Sequence, residues 1–251
     1  MSGPALETRG LCKSFGALEV ARNIDFSLAR GERRALIGPN GAGKTTFINL
    51  ITGAIAPSKG QVLLDGVDVT RLSQSQRVKR GLARTFQINQ LFRGLSVLEN
   101  VCMSVSERVG ARRQFLRPMG SRRDVIDEAN GIIETLGLAA DAERIVRELP
   151  YGRQRLVEIA IALGLKPSVL LLDEPTAGVP EGEGGVLIDV IQNLPEDISV
   201  LIIEHDMDVV FRFAKRITVL VSGEVLTEGT PAEIAADPRV RAVYLGEGIH
   251  G

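Results

Sequence analysis

Cysteine is scarce. Cys12 and Cys102 are the only two in the chain, and they match neither a metal-ligand spacing nor a disulfide framework. Both read as small apolar residues in a reducing compartment. Charge bias is also lacking, with 30 Lys and Arg against 31 Asp and Glu for a net −1. No global basic field draws the chain onto nucleic acid, and no nucleic-acid partner is expected. No apolar run approaches the length of a membrane span. The opening MSGPALETRG has no basic region followed by an apolar stretch, so no signal peptide is visible. A chain of this kind serves a membrane only from the cytoplasmic side and through a partner. No internal repeat is visible. What remains is an ordinary globular composition, 44% hydrophobic and 24% charged over 251 residues. That length suits one large domain, or a core with a smaller subdomain.

The stretch GPNGAGKTT, Gly38 to Thr46, stands out against this plain background. Upstream, Arg34-Ala35-Leu36-Ile37 is a short strand candidate. Downstream, the apolar residues of Phe47 to Thr52 recur at helical spacing, and Gly53 sits where a helix C-terminal glycine belongs. Strand, glycine-rich loop and helix form the context of a phosphate-binding loop. Gly38-x-x-x-x-Gly43-Lys44-Thr45 fits that motif in full, with Pro39, Asn40, Gly41 and Ala42 as its interior. Glycine lets the backbone curl around an anion, and the following helix adds its positive end. Lys44 is expected on the β- and γ-phosphates, and the Thr45 hydroxyl on Mg²⁺. The chain is therefore expected to bind a nucleoside triphosphate.

The remainder reads as an α/β core interrupted by helices. Residues 5–38 read as strands, and Gln61 to Gly66 as a short strand ending in a turn. Residues 95–165 are helical in pattern, for example over Val125 to Leu138 and Gln154 to Leu165. Val169 to Leu172 and Val200 to Ile203 are continuous apolar runs, as expected of strands buried on both faces of a parallel sheet. Ile217 to Leu226 reads as a hairpin turning at Ser222-Gly223. Arg108 to Arg123 carries six arginines and no acid before Asp124. It reads either as a solvated surface or as a contact for lipid headgroups or an acidic partner.

Phosphoryl chemistry needs a metal carboxylate and a group that positions water. Val169-Leu170-Leu171-Leu172-Asp173-Glu174 offers both at the end of a buried strand, Asp173 for Mg²⁺ and Glu174 to orient or deprotonate the water. His205 ends the next such run, at a strand's carboxyl end, where α/β sheets bind ligands. It reads as a γ-phosphate contact or as a structural histidine. Gln87, in Thr85-Phe86-Gln87, reaches either Mg²⁺ and the water or only solvent.

Taken in order and spacing, GPNGAGKTT, ARTFQ, LPYGRQRLVEIAIAL, VLLLDEPTAG and LIIEHD resemble the ATP-binding cassette family over essentially the whole chain. The resemblance implies a P-loop NTPase of RecA-like core, with an N-terminal antiparallel β subdomain and an inserted α-helical signature subdomain. It divides the single domain into a core of residues 1–87 and 156–251 and a helical subdomain of residues 88–155. It implies that Phe15 stacks on adenine and that Gln87 links the nucleotide to the membrane partner. Asp173, Glu174 and His205 then look like the metal carboxylate, the catalytic glutamate and the switch histidine. Leu149, Pro150, Tyr151, Gly152, Arg153 and Gln154 occupy the family signature, which caps the γ-phosphate held by a second copy.

Two departures accompany the resemblance. The signature's serine is replaced by Pro150, which has neither hydroxyl nor N–H but suits the first turn of a helix. The amides of Tyr151 and Gly152 and the helix dipole are left to make the cap. The acid that often follows the Asp-Glu pair and crosses the dimer is absent from Ala177-Gly178-Val179-Pro180, with Glu181 or Glu183 as possible substitutes.

The tyrosine in the signature, ARTFQINQLF, the enlarged basic segment and the ending Val243-Tyr244-Leu245-Gly246 resemble the ATPase subunits of branched-chain amino acid importers most closely. Relatives of that branch serve urea uptake and lipopolysaccharide export. The resemblance implies an ATPase using ATP and Mg²⁺, peripheral on the inner face of the membrane. Its implied partners are permease subunits, a second cassette ATPase and, indirectly, a solute-binding protein. A soluble cassette acting on ribosomes or DNA would carry two cassettes or a long coiled-coil insert, and neither is present. A regulatory module without turnover is disfavoured by the intact Asp173, Glu174 and His205. A small-molecule kinase has no use for the signature.

Overall fold

The computed structural model describes residues 3–85, 91–110, 123–180 and 182–245. The chain opens with β1 (Leu6–Phe15) and β2 (Leu18–Leu28), an antiparallel pair, and crosses to β3 (Arg33–Ile37). Then come α1 (Lys44–Thr52), β4 (Lys59–Leu64), β5 (Val67–Asp68), α2 (Gln74–Val78) and β6 (Leu82–Arg84). Three longer helices follow, α3 (Val97–Arg108), α4 (Arg123–Thr135) and α5 (Tyr151–Gly164). The chain then alternates through β7 (Val169–Asp173), α6 (Glu183–Gln192), β8 (Ser199–Ile203), α7 (Met207–Phe213) and β9 (Arg216–Val221). It closes with β10 (Glu224–Gly229), α8 (Pro231–Ala236) and α9 (Pro238–Leu245).

Two sheets result. The first is antiparallel, in the order β2-β1-β4-β5; the second runs β10-β9-β3-β8-β7-β6 and is parallel except for β10. Strands β3, β7 and β8 are buried at every position, which explains their unbroken apolar reading. Their alternate residues serve two cores. Ala35, Ile37, Leu170, Leu172, Val200 and Ile202 join the cluster that contains the apolar faces of α3 to α7. Leu36, Val169, Leu171, Leu201 and Ile203 join a second cluster with Phe47, Ile48 and Ile51 of α1 and with the first sheet. Helix α1 is thus clamped between the two sheets.

The far end of α1 is fixed by a residue that sequence pattern does not single out. Arg77 of α2 is 1% exposed. Its guanidinium donates to Leu50 O at 2.7 Å, Ile51 O at 2.5 Å, Thr70 O at 2.8 Å and Leu72 O at 3.1 Å. Two of these are final carbonyls of α1, where a cation also complements the helix dipole. Burial lowers the Arg77 pKa from its usual value, and Asp68 opposes the change.

Candidate functional site

The carboxyl ends of the parallel strands meet along one edge. Leu36 of β3 and Asp173 of β7 both pair in register with Ile203 of β8. The loop that rises from β3 and the acids that follow β7 therefore stand about two strand spacings apart, roughly 10 Å.

The loop Gly38 to Thr46 leaves β3 at Ile37 and turns into α1 with Gly43 as N-cap at φ +98°. A Cβ on Gly43 would lie 2.8 Å from Val20 O, and one on Gly38 would lie 2.1 Å from Leu220 O. Only glycine lets the loop pass this close to β2 and β9. One internal bond and one from the β9–β10 turn fix the curl: the Ala42 N–H donates to Pro39 O at 3.1 Å, and the Gly223 N–H to Ala42 O at 2.9 Å. No side chain caps α1, so its positive end is left to whatever anion the loop encloses. Lys44 Nζ donates to Gly38 O at 2.5 Å and Pro39 O at 3.0 Å, which holds the ammonium over the loop. Asn40, Gly41 and Thr45 are exposed, and Thr46 is half-buried.

Asp173 is buried at the end of β7. Its Oδ2 accepts from Arg84 of β6 at 2.5 Å, and the same guanidinium donates to Asn49 Oδ1 of α1 at 2.9 Å. The Thr45 hydroxyl and the Asp173 carboxylate are hard oxygen donors, the kind Mg²⁺ takes one or two at a time beside phosphate oxygens and water. Among the described residues no group of three or more His, Cys, Asp or Glu is placed to hold a metal ion. The donor set therefore fits a metal that arrives with a polyphosphate.

Glu174 sits at φ +45°, a region that costs a non-glycine residue of order 1 kcal/mol or more. Its backbone is held there by its own N–H to Ile203 O at 2.9 Å and by the Ala177 N–H to Glu174 O at 3.1 Å. The Glu174 side chain is 36% exposed and that of His205 69%, with His205 Nδ1 lying 3.9 Å from Glu174 Oε1. That distance exceeds a hydrogen bond, so the imidazole stands beside the carboxylate without being locked to it.

Between them lies Glu204, whose side chain is fully buried. Its Oε1 accepts from Thr176 Oγ1 at 2.6 Å and from the Thr176 N–H at 3.2 Å. Its Oε2 accepts from the His205 N–H at 3.3 Å. Glu204 thus ties the turn after Glu174 to the start of the His205 segment. Sequence reasoning passed over Glu204 and Arg84. The available signal was an acid closing the buried run Ile202-Ile203, since a buried carboxylate requires partners.

Phe15 ends β1 at the tip of the hairpin with β2 and is 53% exposed. Lys13 Nζ lies 5.0 Å from its ring centroid, and Val20 of the same hairpin touches the loop at Gly43. The ring is exposed, on a hairpin whose second strand passes the loop.

The segment Leu149 to Gln154 stands at the N-terminus of α5. Pro150 is its N-cap, one position before the first turn expected of it, at φ −53° and ψ 152°. Tyr151, Gly152 and Arg153 then form the first turn, whose amides have no partner within the helix. The Arg153 side chain turns away to Asp141 Oδ2 at 2.9 Å and Gly137 O at 2.8 Å. Gln154 Nε2 donates to Leu149 O at 2.8 Å. The Tyr151 ring packs on Gly178, where a Cβ would lie 3.3 Å from Tyr151 Cε1, and the Arg155 guanidinium lies 5.0 Å over the ring. What this segment offers a ligand is backbone and helix dipole.

A cleft of about 250 Å³ opens between α2, β6 and α5, with Val78, Leu82, Ala83, Leu91 and Ile161 among its apolar walls. Arg84 and Glu158 also line it. Burial pushes the Glu158 carboxyl above its usual range, and Arg155, hydrogen-bonded to it at 2.8 Å, opposes that shift. Gln87 and Glu181 lie outside the described residues, as does residue range 111–122 of the basic segment.

Comparisons with known proteins agree with this geometry. A family model described as "ABC transporter" matches residues 21–177, and one described as "Branched-chain amino acid ATP-binding cassette transporter" matches residues 224–250. The chain is 38% identical to the high-affinity branched-chain amino acid transport ATP-binding protein LivG of Escherichia coli (strain K12), over 98% of this chain and 100% of that one. It is 35% identical to the corresponding BraF protein of Pseudomonas aeruginosa, with the same coverage. Among solved structures, the ADP conformation of the cassette MJ1267 superposes with a TM-score of 0.85 at 30% identity, covering 97% of this chain and 99% of that one. A dimeric cassette, MJ0796, gives a TM-score of 0.74 at 25% identity, covering 90% and 98%. The chain belongs to the ABC transporter family, as an ATP-binding cassette that hydrolyses ATP.

Proposed function

We propose that this cassette powers the uptake of branched-chain amino acids. The observation that carries the reading is the carboxyl-terminal match at residues 224–250 to the branched-chain amino acid cassettes, in a chain whose catalytic segments are intact. The printed names of the LivG and BraF relatives support the same substrate class.

Two cassettes form the working unit. Each ATP lies between the loop Gly38 to Thr46 of one copy and Leu149 to Gln154 of the other. Phe15 stacks on the adenine, and the loop amides with Lys44 hold the phosphates. Thr45, Asp173 and Gln87 would hold Mg²⁺, which when bound screens charge on the phosphate oxygens. Glu174 orients and deprotonates the attacking water, and its braced backbone fixes the carboxylate for that task. His205 donates to the γ-phosphate and reports its presence. The amides of Tyr151 and Gly152 cap that phosphate from the partner copy.

Residues 88–155 act as a helical subdomain that swings against the core of residues 1–87 and 156–251. The cleft lined by Arg84 and Leu91 receives the permease. No helix among the described residues is long and apolar enough to cross a membrane. On the reading of the LivG and BraF relatives, the cassette works as a peripheral subunit on the cytoplasmic face, with a solute-binding protein supplying substrate to the permease.

Two measurements test the reading. Glu174→Gln is expected to lower steady-state hydrolysis by about 10²-fold or more while retaining ATP binding, so that a closed dimer accumulates. Turnover at the parental rate removes the role given to Glu174. Tagged Glu174→Gln protein with ATP is also used to capture partners from gently solubilised native membranes, identified by mass spectrometry. Permease chains with a branched-chain amino acid binding protein support the proposal. Components of a urea or lipopolysaccharide system redirect the substrate, and exclusively soluble or ribosomal partners remove the transport reading.

A further inference from the structure

Arg84 belongs to none of the roles above, yet its position is unusual. It ends the short edge strand β6, and its guanidinium spans three elements. One nitrogen donates to Asp173 Oδ2 of β7 at 2.5 Å and another to Asn49 Oδ1 of α1 at 2.9 Å. The side chains of Arg84 and Asp173 are only 11% and 6% exposed, so water screens the pair poorly. The same Arg84 forms part of the cleft wall beside Leu82, Ala83 and Thr85. A fixed positive charge therefore stands on the carboxylate assigned to the metal, bonded also to the helix that follows the phosphate loop.

We infer that Arg84 is a positioning residue that sets the metal requirement of the nucleotide site by sharing Asp173 with the incoming cation. This rests on the reading of Asp173 as the metal carboxylate. The physical argument has two parts. A guanidinium and Mg²⁺ on one acid repel each other, and poor screening enlarges that repulsion. The hydrogen bond at Oδ2 also fixes the orientation of the carboxylate that would hold the metal. Because Arg84 also lines the cleft, an occupant of the cleft that draws its side chain away from Asp173 lowers the metal requirement. The partner then influences the site through one side chain.

The test titrates Mg²⁺ against binding of a fluorescent, non-hydrolysable ATP analogue, so that turnover plays no part. Arg84→Gln removes the charge and keeps a donor for Asp173. It is expected to lower the half-saturating Mg²⁺ concentration roughly three- to tenfold, with less than about twofold change in affinity measured without metal. Arg84→Lys keeps the charge and is expected to stay within about twofold of the parent. Asp173→Asn serves as control and is expected to raise the requirement.

Circular dichroism checks folding, and Arg84→Met replaces Arg84→Gln, with the same expectation, if the latter does not fold. An unchanged or raised requirement in the uncharged variant overturns the inference while leaving Asp173 in its role. An equal fall in Arg84→Lys also overturns it, since charge is then not the cause. If Asp173→Asn leaves the requirement unchanged, the reading of Asp173 falls and the inference with it.

Discussion

The two surfaces proposed to meet nucleotide, the phosphate loop and the start of α5, are built differently. The phosphate loop is over-determined. Backbone from β2 and β9 presses on Gly43 and Gly38, Phe47 and Ile48 bury the helix that follows, and Arg77 holds that helix's far end. It carries side-chain chemistry as well, in Lys44 and Thr45, with Asp173 across the sheet edge at the end of β7. The capping segment at α5 has almost none. Its N-cap is a proline, its arginine is turned to Asp141, and its glutamine is spent on Leu149 O. On the clamp reading the difference has a physical sense. The loop keeps its ligand throughout the cycle and gains from rigid, charged contacts. The cap must engage and release, and a contact made of amides and a helix dipole is weak enough to do both.

The largest expected effect lies on the loop side. Lys44→Ala removes the ammonium held over the loop and is expected to lower ATP turnover by about 10²-fold or more, the range for deleting a preorganised charge donor. The measurement is steady-state phosphate release alongside nucleotide affinity. No cap substitution should match it, because the cap's polar side chains, Arg153 and Gln154, are bonded within their own chain. If Arg153→Ala lowered turnover as much, the contrast between the two surfaces would be lost.

A glycine in each surface sharpens the same contrast. Gly43→Ala places a methyl 2.8 Å from a backbone oxygen at φ +98°, so neither atom can step aside. It is expected to destabilise the fold by about 1–3 kcal/mol. Gly152→Ala meets the carboxylate tip of Glu183 at 2.7 Å, with Val179 Cγ1 next at an ordinary 3.6 Å, within an ordinary helical turn. A flexible side chain can move, and alanine favours helix, so the expected change is within about 1 kcal/mol. Urea denaturation of the two variants under one protocol distinguishes them, and equal losses would mean that the cap is as rigid as the loop.

The same contrast explains what could be read from sequence. The phosphate loop, β3, β7 and β8 were legible because burial on both faces writes an unbroken apolar run, and the loop's glycines and lysine follow in fixed spacing. Gly53 as the C-cap of α1 was legible for the same local reason. β6 was not singled out, since Leu82–Arg84 is too short to show a period, and Arg84 went with it. Glu204 and Arg77 take their meaning from partners far along the chain or from backbone carbonyls, neither of which leaves a local pattern. Pro150 was placed one position too far into its helix. Its fixed φ suits either the cap or the first turn, and only the first bond, from the Gln154 N–H to Pro150 O at 3.0 Å, decides between them.

The smallest expected effect is on the cap. Pro150→Ser restores a hydroxyl at the N-cap of α5, where no side chain caps the helix. In the isolated chain the serine oxygen accepts from the first-turn amides and stabilises the helix by about 0.5–1 kcal/mol, reduced by the greater freedom of the unfolded chain once proline is gone. In the clamp the same hydroxyl can instead donate to the γ-phosphate of the partner copy, at the expense of its capping bond. The net gain in ATP-driven dimerisation is therefore expected to be only about two- to fivefold, roughly 0.5–1 kcal/mol. Analytical ultracentrifugation in the Glu174→Gln background measures it. A gain of a hundredfold would show that the cap is limited by its missing hydroxyl and that its weakness is not a property of the backbone contact. No gain would show that Tyr151 and Gly152 already saturate the phosphate.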